Sequence, residues 1–299
     1  MLDVLDGAAD VEGRGHTAVR AMKRKRLSDG APWQKYELFP APPWATRSFF
    51  EHVAPIVAGR RLGPRLVISE PAAGLGHMSD VIAEYCENVF ASDIYRYPVA
   101  RPALPPRIEI ADFLVEDWRG PASDWIMTNP PFGSSSLFLD RALQRARHGV
   151  ALFQRMQWLE GQNRYRDVYV PRPPSLIAPF IERVPICEGG WDPRCATATW
   201  YAWFVWMRDD EGRWPAPLRP GAVLPTFLIP PGRRDALTRS SDVVLAERCV
   251  PGFIPPSQRK LKRPKPFDWA AARWLGPSRR PAFIEAAASL CLPELCTEE

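Results

Sequence analysis

The sequence has little that suits a metal centre, a disulfide scaffold or a membrane span. Its six cysteines and four histidines, in 299 residues, form no CxxC pair and no metal-ligand spacing. We therefore expect reduced thiols, no metal, and neither a zinc-ribbon nor a thioredoxin-like fold. No apolar run approaches the length of about 18 residues that a membrane span needs. The first residues carry Asp3, Asp6 and Asp10 instead of an apolar signal segment, so we expect a cytoplasmic protein.

The composition supports a sizeable core and permits an acidic partner. Hydrophobic residues make up 46% of the chain, and the net charge is +5. Part of the positive charge is concentrated at Lys23–Arg26 and in a second cluster over 259–265. Such clusters are either solvated flexible segments or weak phosphate contacts. The charge is therefore compatible with a nucleic-acid partner without requiring one, and it gives no information on the oligomeric state.

Strand-like and helix-like segments alternate over the first half of the chain. Strands are expected at 65–69, 88–92, 107–111, 125–128 and 149–153, and helices at 45–58, around 78–85 and at 134–147. This alternation predicts the α/β class, with a doubly wound and mostly parallel sheet.

The pattern changes after residue 154. Arginine, proline and aromatic residues dominate 155–195, and the aromatic run over 197–207 is strongly β-prone. Paired with 180–187, this run would close the sheet as an antiparallel hairpin with Trp200, Tyr201, Trp203, Phe204 and Trp206 in the core. From Pro215 onward prolines are frequent and no alternation is evident, apart from a short helix that we predict at 282–290. We therefore predict a mobile polar segment (1–35), a main domain (36–210) and a Pro-rich basic extension (211–299).

A glycine turn joins the first expected strand to its helix. Glu70-Pro71-Ala72-Ala73-Gly74-Leu75-Gly76 has the glycines that let a backbone approach a ligand closely. No lysine follows as in a phosphate-binding loop, so a nucleoside triphosphate is disfavoured. By itself the turn is more simply explained by a tight strand-to-helix connection.

Polar residues also follow the next three expected strands. Asp93 ends the second strand, Asp112 and Phe113 follow the third, and Asn129 follows the fourth. The carboxyl ends of parallel strands meet at one edge of the sheet, where ligands bind in such folds. An acid at the end of the second strand suits ribose hydroxyls, and a carboxylate beside a ring suits an adenine. Four such residues in order predict a nucleotide-like ligand at this edge.

The turn Asn129-Pro130-Pro131-Phe132 is the most informative motif. The prolines fix φ and remove two backbone donors, so the turn is stiff and its carbonyls are available. The Asn129 oxygen and the Pro130 carbonyl are acceptors for an NH2 group, and the Phe132 ring can stack on the plane that carries it. The turn is thus typical of a site for an exocyclic amine.

Taken together, these motifs resemble class I S-adenosylmethionine-dependent methyltransferases. The chain is most similar to phage- and prophage-type DNA adenine-N6 methyltransferases, over about residues 36–207. Members of this family often have a segment like Phe39-Pro40-Ala41-Pro42-Pro43-Trp44-Ala45-Thr46 upstream, lying over the methionine end of the cofactor. The resemblance implies a seven-stranded Rossmann-like methyltransferase fold with S-adenosylmethionine as cofactor and DNA as partner.

The resemblance also implies roles for individual residues. Asn129 and Pro130 would orient the target amine, with Pro131 stiffening the turn and Phe132 stacking on a flipped base. Asp93 would hold the ribose, and Asp112 and Phe113 the cofactor adenine. The methionine part of the cofactor would be lined by Glu70, Ala72, Gly74 and Gly76, with Pro42 and Thr46 from the upstream segment. The segment 155–195 would be a target-recognition insertion or a packed loop.

Three alternatives remain open at this point. Related enzymes methylate RNA guanine at N2 or protein glutamine at N5 with close variants of the same turn. The third is a nonenzymatic nucleic-acid-binding protein that kept the fold. Such a protein is expected to have lost its cofactor turn, whereas Gly74, Gly76 and Asp93 are all present here. Cytosine C5 methylation needs a thiolate nucleophile, which that family places after a proline. The sequence has no Pro-Cys dipeptide, so this reaction is excluded.

Overall fold

The computed structural model describes residues 36–59, 61–100 and 107–259. The segment 1–35 with its basic cluster, all but Arg259 of the second basic cluster, and the helix predicted at 282–290 lie outside the described residues.

Seven strands form one sheet in the order β3-β2-β1-β4-β5-β7-β6. The strands are β1 (Val67–Glu70), β2 (Asn88–Asp93), β3 (Ile108–Ile110), β4 (Ser123–Thr128), β5 (Ala146–Arg155), β6 (Leu176–Pro179) and β7 (Tyr201–Met207). The first five strands are parallel, and β7 is antiparallel to both β5 and β6. This topology confirms the predicted Rossmann-like methyltransferase fold with its C-terminal antiparallel hairpin.

The helices are short, and several segments are π or 3-10 helical. The α-helices are α1 (Pro43–Ser48), α2 (Ala54–Val57), α3 (His77–Ile82), α4 (Ser135–Arg145), α5 (Gln162–Arg164), α6 (Arg233–Leu237) and α7 (Val243–Glu247). A π-helical turn, Phe49–Val53, joins α1 to α2, and a second one, Tyr165–Tyr169, follows α5. The 3-10 segments are Met156–Leu159, Ser240–Asp242 and Pro256–Gln258.

The sheet has an apolar core on each face because successive side chains of a strand point to opposite sides. In β4, Trp125 and Met127 pack with the α1–α2 region and α3, whereas Ile126 packs with α4. In β7, Trp203 and Phe204 divide between the two cores in the same way. Helices therefore cover both faces, which is the doubly wound arrangement that the alternating sequence predicts.

Three details of the sequence prediction are wrong. The helix expected to reach residue 147 ends at Arg145, because β5 begins at Ala146. The partner strand of β7 is β6 and not 180–187, a segment in which Pro185 cannot donate to a ladder. Trp200 precedes β7 and is 42% exposed, so it does not belong to the core that contains the other aromatic residues of this run.

The described part of the C-terminal extension packs against the main domain. The Ile177 N–H donates to the Pro225 carbonyl, and the Phe227 and Ile229 N–H groups donate to the carbonyls of Ile177 and Pro179, each at 2.9 Å. Residues 225–229 therefore run alongside the outer edge of β6, although their sequence has no strand-like pattern.

A buried ion-pair network fixes the extension to the α1 helix. The Arg47 guanidinium is 1% exposed and donates to Asp242 and Glu84 at 2.6–2.8 Å. These two carboxylates hold the pKa of Arg47 above its usual range despite burial. Because an unpaired buried guanidinium is costly, this network keeps α1 and the segment around Asp242 together.

The register of the sheet brings the ends of four strands level. Glu70 pairs with Ala91, Asp93 pairs with Ile110, and Ser69 pairs with Ile126. The residues that follow β1 to β4 therefore meet at one edge, where the sequence places its candidate site.

Candidate active site

A cavity of about 350 Å³ opens at this edge of the sheet. Its volume is within the range of small-molecule and cofactor sites. Eight residues singled out from the sequence line it, namely Glu70, Ala72, Gly74, Asp93, Asp112, Phe113, Asn129 and Pro131. Strand ends that are far apart in sequence thus contribute to a single site.

The glycine turn adopts a conformation that glycine favours. Gly74 and Gly76 have φ values of 58° and 82°, in the left-handed region. The Gly74 N–H donates to Asp93 Oδ2 at 2.8 Å. A Cβ at Gly74 would lie 2.7 Å from Leu38 Cδ1. The turn is therefore held close to both β2 and the upstream segment, while Gly76 caps α3 and lies outside the cavity lining.

Two buried carboxyl groups form one part of the cavity wall. Glu70 is 2% exposed, and its Oε2 has no hydrogen-bond partner within the described part of the chain. Burial raises the pKa of Glu70 to about 8. Burial also raises the pKa of Asp93 to about 6, although N–H groups of Gly74 and Tyr95 donate to it. A ligand that is positively charged or donates hydrogen bonds would therefore favour the ionised form of both carboxyls.

The third strand contributes an aromatic surface and a further carboxylate. Asp112 Oδ1 accepts the Leu114 N–H at 2.9 Å, which orients the side chain beside the cavity. Phe113 is 1% exposed, and its ring centre lies 5.4 Å from that of Phe138, which also lines the cavity. This arrangement suits a flat ring that carries a hydrogen-bond donor.

The Asn129 amide presents one oxygen without a partner. Its Nδ2 donates to the Phe39 carbonyl at 2.8 Å. Because a carbonyl only accepts, this bond decides which end of the amide is the NH2 group. Oδ1 is buried and has no hydrogen-bond partner among the residues described. A buried oxygen in this condition has the capacity to accept a hydrogen bond from a ligand.

Two other residues of the turn lie behind the cavity wall. Pro130 is buried, and Phe132 is partly buried against the core; neither lines the cavity. The Phe132 N–H donates to Glu37 Oε2 at 2.8 Å. The Arg155 guanidinium carbon lies 3.8 Å from the centre of the Phe132 ring, and the Phe39 ring centre lies 5.5 Å away. The ring expected to stack on a base is therefore already in contact with a cation.

The segment upstream of α1 contributes different residues from those expected. Pro42 and Thr46 are buried, do not line the cavity, and belong to the start of α1 and its core-facing side. The lining instead comes from residues 36–41, just before the helix. Phe39, Pro40 and Ala41 belong to the segment 39–46 that the resemblance places over the cofactor, and they line the cavity. Tyr36, Glu37 and Leu38 were not singled out from the sequence, where only their position before the Pro42-Pro43 helix start signals a loop.

Helix α3 adds His77 and Met78 to the lining, and neither residue was assigned to the site from the sequence. His77 is 1% exposed, and its Nε2 lies 2.8 Å from the Leu245 carbonyl. Burial, together with the nearby positive charge of Arg248, lowers the pKa of His77 to about 3. The imidazole is therefore neutral at physiological pH, with Nε2–H as the donor to Leu245.

Most aromatic residues of the segment 155–195 are structural. Trp158, Tyr169 and Trp191 are each 6% exposed or less. Tyr165 is 60% exposed, and Trp200, just before β7, is also accessible. Only these two remain available for contact with a partner, together with exposed arginines such as Arg166 and Arg183.

Metal and membrane features are absent from the described residues. No group of three or more His, Cys, Asp or Glu side chains within 36–59, 61–100 and 107–259 is placed to hold a metal ion. In the same ranges no helix has the length and apolarity needed to cross a membrane. Cys86, Cys187, Cys195 and Cys249 are free thiols.

Known proteins give only distant similarities. No protein-family model and no curated protein sequence matches the chain. Among solved structures, the M protein of the type I restriction enzyme EcoKI is 12% identical over 67% of this chain and 49% of its own, with a TM-score of 0.42. The 23S rRNA methyltransferase ErmE is 20% identical over 56% of this chain and 70% of its own, with a TM-score of 0.32.

A third structure is a magnesium protoporphyrin IX methyltransferase from Synechocystis with bound S-adenosylmethionine. It is 14% identical over 64% of this chain and 92% of its own, with a TM-score of 0.32. The chain thus spans about half the length of the restriction-enzyme subunit and most of the porphyrin enzyme. These similarities are too weak to carry a function from any of these proteins to this chain, so the function has to be inferred from the site itself.

Proposed function

We propose that the protein is an S-adenosylmethionine-dependent methyltransferase that acts on an exocyclic amine, with adenine N6 in DNA as the target. The observation that carries the proposal is the partnerless Asn129 Oδ1, which lines the same cavity as the buried carboxyls of Glu70 and Asp93. One part of the wall thus suits a cofactor with a cationic end and a ribose, and the other part suits an amine.

The residues of the cavity fit this cofactor part by part. The unpaired Glu70 oxygen suits the ammonium group of the methionine portion, beside the backbone of Ala72 and Gly74. Asp93 is placed to accept ribose hydroxyls at the end of β2. Asp112 and Phe113 suit the adenine edge and face. When bound, the cofactor supplies a methyl group activated by a sulfonium sulfur.

Positioning is the main task of the protein in such a transfer. The amine of adenine is a poor nucleophile because its lone pair is delocalised into the ring. Accepting an N–H bond of the amine at Asn129 Oδ1, which lines the cavity, favours a pyramidal nitrogen whose lone pair is directed at the methyl group instead of being delocalised into the ring. Holding the nitrogen in this orientation supplies much of the rate effect, and no covalent intermediate with the protein is required.

DNA is proposed as the target because aromatic rings and a positively charged side chain lie beside the amine site of the turn. A target base must leave the duplex at a cost of a few kcal/mol. Stacking on an aromatic side chain returns about 1–3 kcal/mol per base. Phe39 lines the cavity and provides such a ring, with the Phe132 ring packed against it and the Arg155 guanidinium beside Phe132. The net charge of +5 is in keeping with an anionic partner.

The test is methyl transfer from labelled S-adenosylmethionine to unmethylated duplex DNA, followed by mass spectrometry of the nucleosides. We expect N6-methyladenine from the wild-type protein and none from Asn129→Ala. Cofactor binding without transfer to DNA would reject adenine in DNA as the target. Transfer of label to RNA guanine or to protein glutamine, with RNA or protein supplied in place of DNA, would then identify the substrate class. Absence of cofactor binding would reject the proposal as a whole.

A further inference from the structure

The segment Glu37–Phe39 contacts the Asn129–Phe132 turn at both of its ends. The Asn129 Nδ2 donates to the Phe39 carbonyl, and the Phe132 N–H donates to the Glu37 carboxylate, each at 2.8 Å. The Phe39 and Phe132 rings also touch, with their centres 5.5 Å apart. The two prolines between these points have no N–H. The segment thus holds the turn through the side-chain amide of Asn129 at one end and the backbone N–H of Phe132 at the other.

The backbone at Glu37 is held in an unfavourable conformation. Its φ is 55°, and within the described ranges it is the one non-glycine residue with positive φ. A side chain in the left-handed region costs of order 1 kcal/mol and persists only where the surroundings fix it. The bond from the Phe132 N–H to the carboxylate is one contact that fixes it.

The same segment belongs to the cavity wall. Glu37, Leu38 and Phe39 all line the cavity, and the Leu38 side chain lies against Gly74 of the glycine turn. The Leu38 carbonyl also accepts the Gly189 N–H at 3.0 Å, which fastens the segment from behind. One short stretch of chain thus contacts both the glycine turn and the amine site.

We propose that Glu37–Phe39 is a clamp that presets the Asn129 oxygen for the target amine, with Glu37 as a positioning residue. The clamp fixes the Asn129 amide through its NH2 group, which leaves Oδ1 as the acceptor on the cavity side. The Glu37 carboxylate fixes the other end of the turn through Phe132. This inference rests on the proposed transfer to an amine, and it assigns a role to residues that do not contact the reacting atoms.

The clamp predicts a split between binding and turnover. Glu37→Ala removes the acceptor for Phe132, so kcat at saturating cofactor and DNA should fall roughly 10- to 100-fold, the range for a small misplacement of a reacting group. The cofactor Kd should change by less than about 3-fold, because the carboxyls of Glu70 and Asp93 remain. Glu37→Gln keeps an acceptor oxygen of the same shape and should recover most of the lost turnover.

Two further variants separate positioning from folding. Glu37→Gly relieves the backbone strain but lacks the acceptor. Its turnover should therefore be as slow as that of Glu37→Ala, and its thermal stability should equal or exceed that of Glu37→Ala. Glu211→Ala, an exposed residue in the turn after β7, is the control and should leave kcat unchanged. Recovery of turnover by Glu37→Gly, or failure of Glu37→Gln to recover it, would overturn the proposal.

A measurement independent of turnover distinguishes failure of the clamp from failure of the proposed function. The amide proton resonance of Phe132 should lie downfield in the wild-type protein, because it donates to a carboxylate. It should move upfield in Glu37→Ala and by less in Glu37→Gln. If the wild-type protein transferred no methyl group, the proposed function would fail. The Phe132 resonance would then be the one measurement that tests whether Glu37 holds the turn. An unchanged resonance in Glu37→Ala would reject the clamp even in an active enzyme.

Discussion

The two parts of the cavity wall differ in the polar groups that they present. The part built from β1, β2 and β3 carries the carboxyls of Glu70, Asp93 and Asp112, and burial raises the pKa of the first two. The part built from the turn after β4 carries the uncharged amide of Asn129. We refer to these as the carboxyl wall and the amide wall.

The difference matches what each wall is proposed to hold. Ionisable carboxyl groups suit a cationic ligand, and the strength with which they attract it depends on pH and on the ligand's charge. A neutral amide oxygen accepts hydrogen bonds from the N–H groups of an amine and does not engage its lone pair, so the lone pair remains available to attack the methyl group. The comparison predicts that substitutions in the carboxyl wall change cofactor binding and that substitutions in the amide wall change turnover.

The largest expected effect is on the amide wall. Asn129→Ala removes the acceptor for the target amine, and transfer should fall at least roughly 10²- to 10³-fold, as for loss of one preorganised hydrogen-bonding group in an active site. The cofactor Kd, measured by calorimetry, should remain nearly unchanged.

A matched control for this variant is Asn88→Ala at the start of β2. Its Nδ2 also donates to a backbone carbonyl, that of Arg65, but at the opposite edge of the sheet. Transfer should be normal in this variant. Equal losses of transfer and cofactor affinity in Asn129→Ala would show that the two walls are not separable.

The next effect concerns Glu70 and pH. Its pKa is about 8 in the folded protein against 4.5 ordinarily, so the folded state binds the proton more tightly than the unfolded chain. The stability from this proton is fully present below about pH 4.5 and is lost as pH rises through about 8. A tenfold difference in proton affinity between the two states corresponds to about 1.4 kcal/mol, so we expect a loss of at least about 2 kcal/mol between about pH 5 and pH 9.

Glu70→Gln tests this pH dependence because it removes the titrating group. Thermal or urea unfolding across the pH range should show a flatter stability profile for Glu70→Gln than for the wild-type protein, with the variant relatively more stable at high pH. Glu116→Gln, at an exposed position, should follow the wild-type profile. Identical profiles for wild type and Glu70→Gln would contradict the burial argument for the carboxyl wall.

A smaller effect is expected at Asp93. Both of its oxygens accept backbone N–H groups, and Asp93→Asn replaces one acceptor with a donor and removes the charge. Because hydrogen bonds to charged groups contribute about 1.5–3 kcal/mol, the cofactor Kd should rise roughly 10- to 100-fold. Turnover at saturating cofactor should change little.

The exposed Asp117 provides the control for this substitution, since Asp117→Asn should leave the cofactor Kd unaltered. A loss of turnover in Asp93→Asn with an unchanged cofactor Kd would show that this carboxylate acts in transfer and not in cofactor binding, contrary to the role proposed for the carboxyl wall.

The carboxyl wall is also the part that sequence predicts best. Strand-helix alternation is a local pattern, and the residues that end β1 to β4 meet because parallel strands share an edge. The sequence alone therefore predicts that Glu70, Asp93, Asp112 and Asn129 lie together. The residue types also indicate a ribose at Asp93, an adenine at Asp112 and an amine at Asn129. The methionine contact of Glu70, in contrast, came from the family resemblance, and all of these roles remain predictions.

The missed features depend on contacts between distant parts of the chain. Glu37 and Phe39 reach a turn at least 90 residues downstream, and nothing in their local pattern indicates it. Residues 225–229 follow β6 without a strand-like sequence. Thr46 was assigned to the cofactor site, but the helix that begins at Pro43 turns it into the core, where it is fully buried.

The smallest expected effect concerns the guanidinium beside the amide wall. Arg155 lies over the Phe132 ring, and its Nε is 3.3 Å from the Tyr201 hydroxyl. Arg155→Met keeps an apolar contact with the ring but removes the charge, so DNA affinity should fall roughly 3- to 10-fold, while the cofactor Kd stays constant. If the guanidinium also contacts a phosphate, the slope of log K against log salt should decrease by about one.

We expect this decrease in slope, because a cation at the open edge of the sheet lies beside the site where the target strand is proposed to enter. The control is Arg208→Met, since Arg208 lies 4.2 Å from the Trp214 ring centre at the opposite end of β7. Its contact with an aromatic ring is similar, but its removal should alter neither affinity nor slope. Weaker binding of Arg155→Met with an unchanged slope would limit Arg155 to stacking on Phe132. An equal effect of the two variants would indicate nonspecific charge attraction and would remove the distinction between the edges of the sheet.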